Sequence, residues 1–381
     1  MSNIQMVDLK SQYLKIKEEI DRAVIECLES TAFINGPKVK EFQANLEKYL
    51  DVKHVIPCAN GTDALQIALM ALKLKEGDEV IVPSFTYVAT AEVIALLKLK
   101  PLMVEVDENT FNITAEIIEN AITPNTKAVV PVHLFGQTCD MSPIMEVARK
   151  HNIFVIEDNA QAIGSDYTFP DGTAKKAGTI GHIGTTSFFP AKNLGCYGDG
   201  GAIFTNDDDL AAKMAMIANH GQSKRYYHDM IGVNSRLDSI QAAILDVKLK
   251  YLDDYAKARN DVAEKYDAAF SQIEELQTPV REANSTHVFH QYTLRVKNGK
   301  RDELVNHLTE KGVPANIYYP VPLNEQKAFK EFVPENLDLP VTEMLCREVI
   351  SLPIHTEMDA ETQNYIIDSV KSFFTANAQT A

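Results

Sequence analysis

Apolar residues recur at three- and four-residue spacing through LKSQYLKIKEEIDRAVIECLES (9–30) and VKEFQANLEKYL (39–50). That spacing predicts two helices, broken at the Gly36-Pro37 pair. The rhythm then alternates. HVIPCA, EVIVPSF, PLMVEV, AVVPVHLF and IFVIED are short apolar or β-branched runs, with helical stretches such as ALQIALMALKL, SPIMEVARKH and the alanine-rich segment after Tyr87 between most of them. Strand and helix taking turns predicts an α/β fold with a mainly parallel sheet covered on both faces.

After Asp158 the pattern changes to TTSFFPAK and GAIFTN, two expected strands flanking a glycine-rich turn, and then to a helix from Asp208 to about Asn219. An amphipathic segment from Leu237 to about Phe270 reads as a bridge into a second unit. Beyond it, HQYTLRV, a helix over RDELVNHLTEKG, SLPIH and a last helix near Glu361 to Phe374 make a compact α+β unit. The division expected is a large domain over residues 1–250, N-terminal helices included, and a small domain over 251–381. The small polar tail ANAQTA is expected to fray.

Composition narrows the function classes. The chain has 381 residues, 45% hydrophobic and 24% charged, with a formal net charge of -16, and no Lys/Arg run exceeds two residues. Phosphate backbones demand basic patches, so nucleic acid is not the expected partner. No leader-like N-terminus and no apolar run of membrane-spanning length is present, so export and membrane insertion are not expected. Five scattered cysteines without CxxC spacing point to free thiols in a reducing cytoplasm. His287 and His290 in HVFH are three apart in a strand-like context, which sends them to opposite faces, and no metal site is expected.

Open α/β sheets bind ligands at the carboxyl ends of their strands, so the loops just after predicted strands carry the candidate chemistry. In CANGTDALQIAL, Gly61 and Thr62 open a helix whose unpaired N–H groups suit a phosphate; alternatively Asn60 or Thr62 simply caps that helix. There is no GxGxxG or GxxxxGK[ST] fingerprint for NAD or ATP. In FVIEDNAQAIG, Asp158 ends an apolar strand, where a carboxylate needs a cation, several donors or a helix to cap. A protonated pyridine nitrogen is such a cation, and Gln161 lies within reach of the same pocket.

Lys192, in SFFPAKNLGCYGDGG, follows an aromatic, proline-bound run. Desolvation there favours the neutral amine, the form that condenses with an aldehyde; a solvated lysine on a surface hairpin is the alternative. Ser187 precedes it and can share a phosphate with Thr62. The glycines at 195, 198, 200 and 201 allow positive backbone torsions and let the chain turn tightly beside a bulky ring.

The motifs NGTDAL, PSFTYVATA, VHLFGQTCDM, IEDNAQA, SFFPAKNLGCYGDGGA and NSRLDSIQAAIL, in this order, resemble those of the DegT/DnrJ/EryC/StrS sugar aminotransferases. The resemblance runs from FINGP near Phe33 through YYPVPLN at Tyr318 to SLPIH at Ser351. It implies an aspartate aminotransferase-like fold of type I and pyridoxal 5'-phosphate as cofactor. By position, Lys192 would condense with the cofactor, Asp158 would hold the pyridine nitrogen, Gln161 would lie by the ring hydroxyl and Tyr87 would stack on the ring. Gly61, Thr62 and Ser187 would bind the phosphate, joined by Asn234 from the partner subunit of a homodimer. His182 stands where many relatives carry an acidic residue.

The resemblance further implies glutamate as amino donor and a nucleotide-linked keto sugar as acceptor. GCYGDGGA with SKRYYHDMIGVNSRLD most resembles enzymes that aminate the 3-keto group of a UDP-N-acetyl-hexosaminuronic acid for bacterial surface polysaccharide. Arg236 is the candidate for the sugar carboxylate, or forms an ion pair with Asp238 or Asp229. Tyr318 and Tyr319 line a sugar pocket or pack as ordinary half-buried aromatics. Arg225 and His228 are weaker candidates for the nucleotide phosphates. The competing readings are an aminotransferase for a neutral 3-keto or 4-keto deoxysugar, a dehydratase of the same fold, in which histidine replaces the lysine, and a non-catalytic regulatory relative.

Overall fold

The computed structural model describes residues 4–378. The chain opens with α1 (Leu9–Lys15), α2 (Lys17–Ser30) and α3 (Pro37–Leu50). The first expected helix is thus two, because Ile16 leaves helical torsions (φ -116°, ψ 19°) and buries its side chain with Ile20 against Ile244 and Val247. The break expected at the Gly36-Pro37 pair is there: Gly36 is the N-cap and Pro37 starts α3, where its missing N–H costs nothing.

The alternating region gives β1 (His54–Cys58), α4 (Gly61–Ala71), β2 (Glu79–Pro83), α5 (Ala89–Leu96), β3 (Lys100–Val104), α6 (Ala115–Ala121), β4 (Thr126–Val129), α7 (Met141–His151) and β5 (Phe154–Asp158). A hairpin of β6 (Asp166–Thr168) and β7 (Ala174–Lys176) leads to β8 (Ile183–Ser187), β9 (Gly201–Thr205) and α8 (Asp208–Ala218). Seven strands join in the order β1-β9-β8-β5-β4-β2-β3. Pairing is parallel from β8 to β3, and β9 runs antiparallel to both of its neighbours.

Side-chain alternation explains the two covered faces. Val80 and Val82 pack with α4, α5 and α8, whereas Ile81 between them packs with α6 and α7. Burial on both sides is why these strands read as unbroken apolar runs.

A second hairpin, β10 (Gln222–Lys224) and β11 (Tyr227–His228), precedes α9 (Ser239–Leu249) and α10 (Leu252–Phe270). The expected single bridge is therefore two helices. Nearly all of α9 is buried, whereas α10 buries only one stripe, so the chain changes course at Lys250 and Tyr251 between them. Then come β12 (Leu276–Gln277), β13 (Tyr292–Val296), α11 (Arg301–Glu310), α12 (Pro340–Glu348), β14 (Val349–Leu352) and α13 (Ala360–Ala378). The three strands form an antiparallel sheet whose core takes Val262, Tyr266 and Phe270 from α10, with Ile4 from the N-terminal segment packed against it. The tail expected to fray continues α13 to Ala378, and its last three residues lie outside the described ones.

Candidate active site

Loops after β1, β2, β4, β5 and β8 converge on one cavity of about 640 Å³. Gly61, Thr62, Tyr87, Asp158, Gln161, Ser187, Lys192, Tyr318 and Tyr319 all line it. The position is the one a parallel sheet offers, beyond its strands' carboxyl ends.

On one side stands the start of α4. The Asn60 side chain accepts from the Asp63 amide at 2.8 Å and so caps the helix, while the Asn60 carbonyl takes the Ala64 amide. The capping reading of this loop holds for Asn60, and the amides of Gly61 and Thr62 stand in the first turn, at the positive end of the helix dipole. A Cβ on Gly61 would come within 2.7 Å of the Ser187 Cβ, so only glycine keeps the helix start this close to β8.

Across the cavity, Asp158 is 6% exposed. Its carboxylate accepts from Thr90 Oγ1 at 2.8 Å and from the Ala160 amide at 3.1 Å, which fixes its direction. Beside it, Glu157 is sealed under the sheet, accepting from the amides of Gly178 and Ile180 at 2.8 and 2.7 Å. His133 Nδ1 accepts from the Cys139 amide, so Nε2 carries the proton given to Glu157 at 2.9 Å. This network anchors the end of β5 from below.

Lys192 lies in the same wall, partly open to the cavity but packed round by protein. Burial pulls its amine down to about 8, against the opposing pull of the Asp158 charge. Its loop is tied at several points: the Lys192 amide to the Phe189 carbonyl at 2.8 Å, Asn193 Nδ2 to the Val288 carbonyl at 2.8 Å and Lys248 Nζ to the Gly195 carbonyl at 2.6 Å. The glycines at 195, 198, 200 and 201 are not in positive torsions, contrary to expectation. They serve close approach: a Cβ on Gly195 would lie 2.3 Å from the Pro190 carbonyl oxygen, and one on Gly201 2.4 Å from the Asn60 backbone.

Gln161 Oε1 accepts from the Phe135 amide at 2.7 Å, which turns Nε2 towards the Tyr319 hydroxyl at 3.2 Å. The Tyr319 phenol is held well above its ordinary value by burial and so stays protonated. Tyr87 is half-exposed at the mouth, its ring 6.5 Å from that of Tyr319. Tyr318 accepts from Asn316 Nδ2 at 2.8 Å.

The structure does not bring Asn234 and Arg236 into this cavity of their own chain. Asn234 pairs with Asn219 in an isolated bridge. Arg236 donates to Asn219 Oδ1 at 3.4 Å and lines a separate hollow of about 540 Å³ with Asn35, His54 and Asp208; the ion pair with Asp238 or Asp229 is not formed. Arg225 and His228 sit on the β10–β11 hairpin or its turn, and His228 Nδ1 pairs with the His220 carbonyl. His182 is no part of the cavity either: its Nδ1 accepts from the Val155 amide at 3.0 Å and its ring meets Phe154 edge-on.

Sequence reasoning missed Thr90 and His290. His287 and His290 do not alternate along a strand, because Phe289 turns into positive φ (44°) and β13 starts only at Tyr292. His287 stacks on Phe289, its Nδ1 accepting from the Phe289 amide, whereas His290 enters the cavity wall. A turn made by a phenylalanine leaves no mark in the hydrophobic pattern. Thr90 carries no more signal than a polar residue at the second position of α5, within VATA.

The DegT/DnrJ/EryC1/StrS aminotransferase family model matches residues 14–371. The chain belongs to this family. Among similar proteins is UDP-2-acetamido-2-deoxy-3-oxo-D-glucuronate aminotransferase of Pseudomonas aeruginosa, 46% identical over 93% of this chain and 96% of that one. A pleiotropic regulatory protein of Geobacillus stearothermophilus is 44% identical over 98% and 99%. The solved structure of S. venezuelae DesV in complex with a ketimine intermediate superposes with a TM-score of 0.93 at 36% identity, covering 98% of this chain and 99% of that one. The fold is thus that of the DegT/DnrJ/EryC1/StrS aminotransferases.

Proposed function

We propose that this family member is a pyridoxal-phosphate-dependent aminotransferase that moves an amino group from glutamate to a nucleotide-linked keto sugar. The observation that carries the reading is Lys192, held down to about 8 by burial and facing Asp158 in one cavity. The residues fit the cofactor in three places. An amine in reach of its neutral form suits the aldehyde, a buried and doubly hydrogen-bonded Asp158 suits a ring nitrogen, and the open start of α4 beside Ser187 suits a phosphate. Pyridoxal phosphate supplies an electrophilic carbon and a ring that accepts the electron pair released when a substrate C–H bond breaks.

The geometry supports the following contributions of the chain. Asp158 keeps a proton on the ring nitrogen, and Thr90 and the Ala160 amide keep Asp158 in place. Lys192 anchors the cofactor and, once released, carries a proton between two carbon atoms as general base and then acid. Gly61, Thr62 and Ser187 grip the phosphate, Tyr87 covers the ring face, Gln161 lies by the ring hydroxyl, and Tyr318 and Tyr319 border the sugar. Asn234 and Arg236 act across the interface of a homodimer, the role consistent with their lying outside their own chain's cavity. The domain division is 1–250 and 251–381, and the enzyme works in the cytoplasm; among the described residues no helix is long and apolar enough to cross a membrane.

For the acceptor we propose C3 of a UDP-linked N-acetyl-3-oxo-hexosaminuronic acid, on a route to bacterial surface polysaccharide. The identity to the Pseudomonas enzyme, higher than to relatives named for dTDP-linked sugars, supports this choice. The regulatory name of the Geobacillus relative favours a second reading, a family member without turnover. Glutamate titration separates them. The loaded protein should absorb in the visible, and that absorption should bleach on adding glutamate; a band that persists with every amino donor while the cofactor stays bound would refute the transaminase.

A further inference from the structure

Lys192 stands in the connection between β8 and β9, whose base is closed twice: the Phe188 amide donates to the Gly200 carbonyl at 2.7 Å and the Cys196 amide to the Phe188 carbonyl at 2.8 Å. The outgoing limb bears the lysine, whose own amide meets the Phe189 carbonyl. The returning limb, from Gly195 to Gly198, lies against α9. Peptide groups that turn away from a sheet lose their ladder partners and need others.

Two side chains of α9 supply them. Gln241 takes both polar groups of one residue: its Oε1 accepts from the Tyr197 amide at 2.9 Å and its Nε2 donates to the Tyr197 carbonyl at 3.3 Å. Lys248 donates through Nζ to the Gly195 carbonyl at 2.6 Å. Residues 241 and 248 are close to two helical turns apart and share a face of α9, and Leu245 between them belongs to one apolar cluster with Leu194 and Cys196. A Cβ on Gly198 would come within 2.9 Å of Gln241 Nε2, so no side chain could stand between helix and turn.

A buried ammonium is a destabilising choice for this place. Lys248 is 1% exposed, with the Tyr197 ring 5.3 Å from Nζ, and burial pulls its amine down to about 8. A methionine would occupy similar volume without that penalty, but it could not donate to Gly195.

The path from this contact to the Lys192 backbone is short. Gly195 is pressed against the outgoing limb, since a Cβ there would lie 2.3 Å from the Pro190 carbonyl oxygen and 2.8 Å from that of Phe189. The Phe189 carbonyl is the one that holds the Lys192 amide. In a close-packed loop, a shift of Gly195 relative to α9 therefore moves the corner from which the lysine side chain springs.

We propose that Gln241 and Lys248 are positioning residues for Lys192, a two-point clamp from α9 that fixes the returning limb of its loop and thereby the place of the amine in the cavity. The inference rests on the proposed role of Lys192. Neither side chain lines that cavity, so both act through the loop and not on a ligand.

The test starts from cofactor-free protein and two probes. Pyridoxamine phosphate has no aldehyde, so its affinity reports the cavity without the lysine; pyridoxal phosphate forms a visible band at a rate that reports the amine. A wild type that forms no band would refute the role of Lys192 itself, whatever the variants do. In Gln241→Leu and Lys248→Met the band should form about tenfold more slowly, because a misplaced nucleophile loses at least that much, while affinity for pyridoxamine phosphate stays as in the wild type. Gln241→Leu alters no charge, so the pH midpoint of its band formation should remain that of the wild type. A loop that merely came loose would hydrate Lys192 and move that midpoint up towards 10.5. An unchanged band rate in either variant, a raised midpoint in Gln241→Leu, or pyridoxamine phosphate affinity lost in step with the rate overturns the proposal. If Lys248→Met does not fold, Gln241→Leu, at a half-buried position, decides alone.

Discussion

Replacing Lys192 by methionine should stabilise the cofactor-free protein, in a way that depends on pH. An ordinary lysine titrates at 10.5, and burial brings Lys192 to about 8. Each unit corresponds to about 1.4 kcal/mol, so keeping the folded side chain charged at neutral pH costs about 3 kcal/mol. Water at the cavity mouth screens part of this, leaving about 2 kcal/mol as the expected gain. The sign follows from proton counts. Below pH 8 both folded and unfolded chains hold the proton and the wild type bears the whole cost. Between about 8 and 10.5 the folded lysine loses its proton first, the unfolded state binds more protons, and wild-type stability rises with pH.

The difference between Lys192→Met and wild type should therefore be largest at pH 7 and close towards pH 10.5. Any packing gain from the thioether is independent of pH, so the slope carries the test. With fourteen tyrosines and no tryptophan (Tyr 14, Trp 0), urea unfolding is best followed by tyrosine fluorescence and far-ultraviolet circular dichroism. A difference that is constant from pH 7 to pH 10 would refute the claim that burial displaces this amine. Such a cost, borne at one residue for the sake of a reactive amine, is the usual trade between stability and function.

Two further outcomes are expected. Gly61→Ala forces a Cβ to 2.7 Å from that of Ser187, about 1 Å inside ordinary contact, so the start of α4 must retreat. Affinity for pyridoxal phosphate, measured by fluorescence titration, should fall at least tenfold, and unchanged affinity would remove the phosphate from this corner. Arg236→Ala should weaken acidic sugar nucleotides far more than neutral ones in a panel of steady-state KM values, because only a carboxylate needs the guanidinium; equal losses for both would end its assignment to the sugar.

The mainly parallel sheet was legible because strands buried on both faces are mostly apolar, and EVIVP and IFVIE carry such runs beside one glutamate each. The cavity's lining was legible from strand ends: Asp158 and Ser187 close β5 and β8, Thr62 and Lys192 lie in the segments that follow β1 and β8, and a parallel sheet gathers its strand ends at one edge. Local pattern could not show how two loops far apart in the chain meet. His290 depends on a left-handed turn at Phe289 and on Gly136 admitting the backbone, and Thr90 depends on where α5 begins relative to β5. Of the two reasons for the glycines after Lys192, the tight course of the chain stands and the positive torsion does not, since the crowding by Pro190 and Asn60 is what excludes a Cβ. The sequence by itself determined which residue types stand at the strand ends, because burial and periodicity act along the chain. Only the tertiary structure decided how deeply each is desolvated and which partners it meets, because those depend on atoms that the chain brings together from hundreds of residues apart.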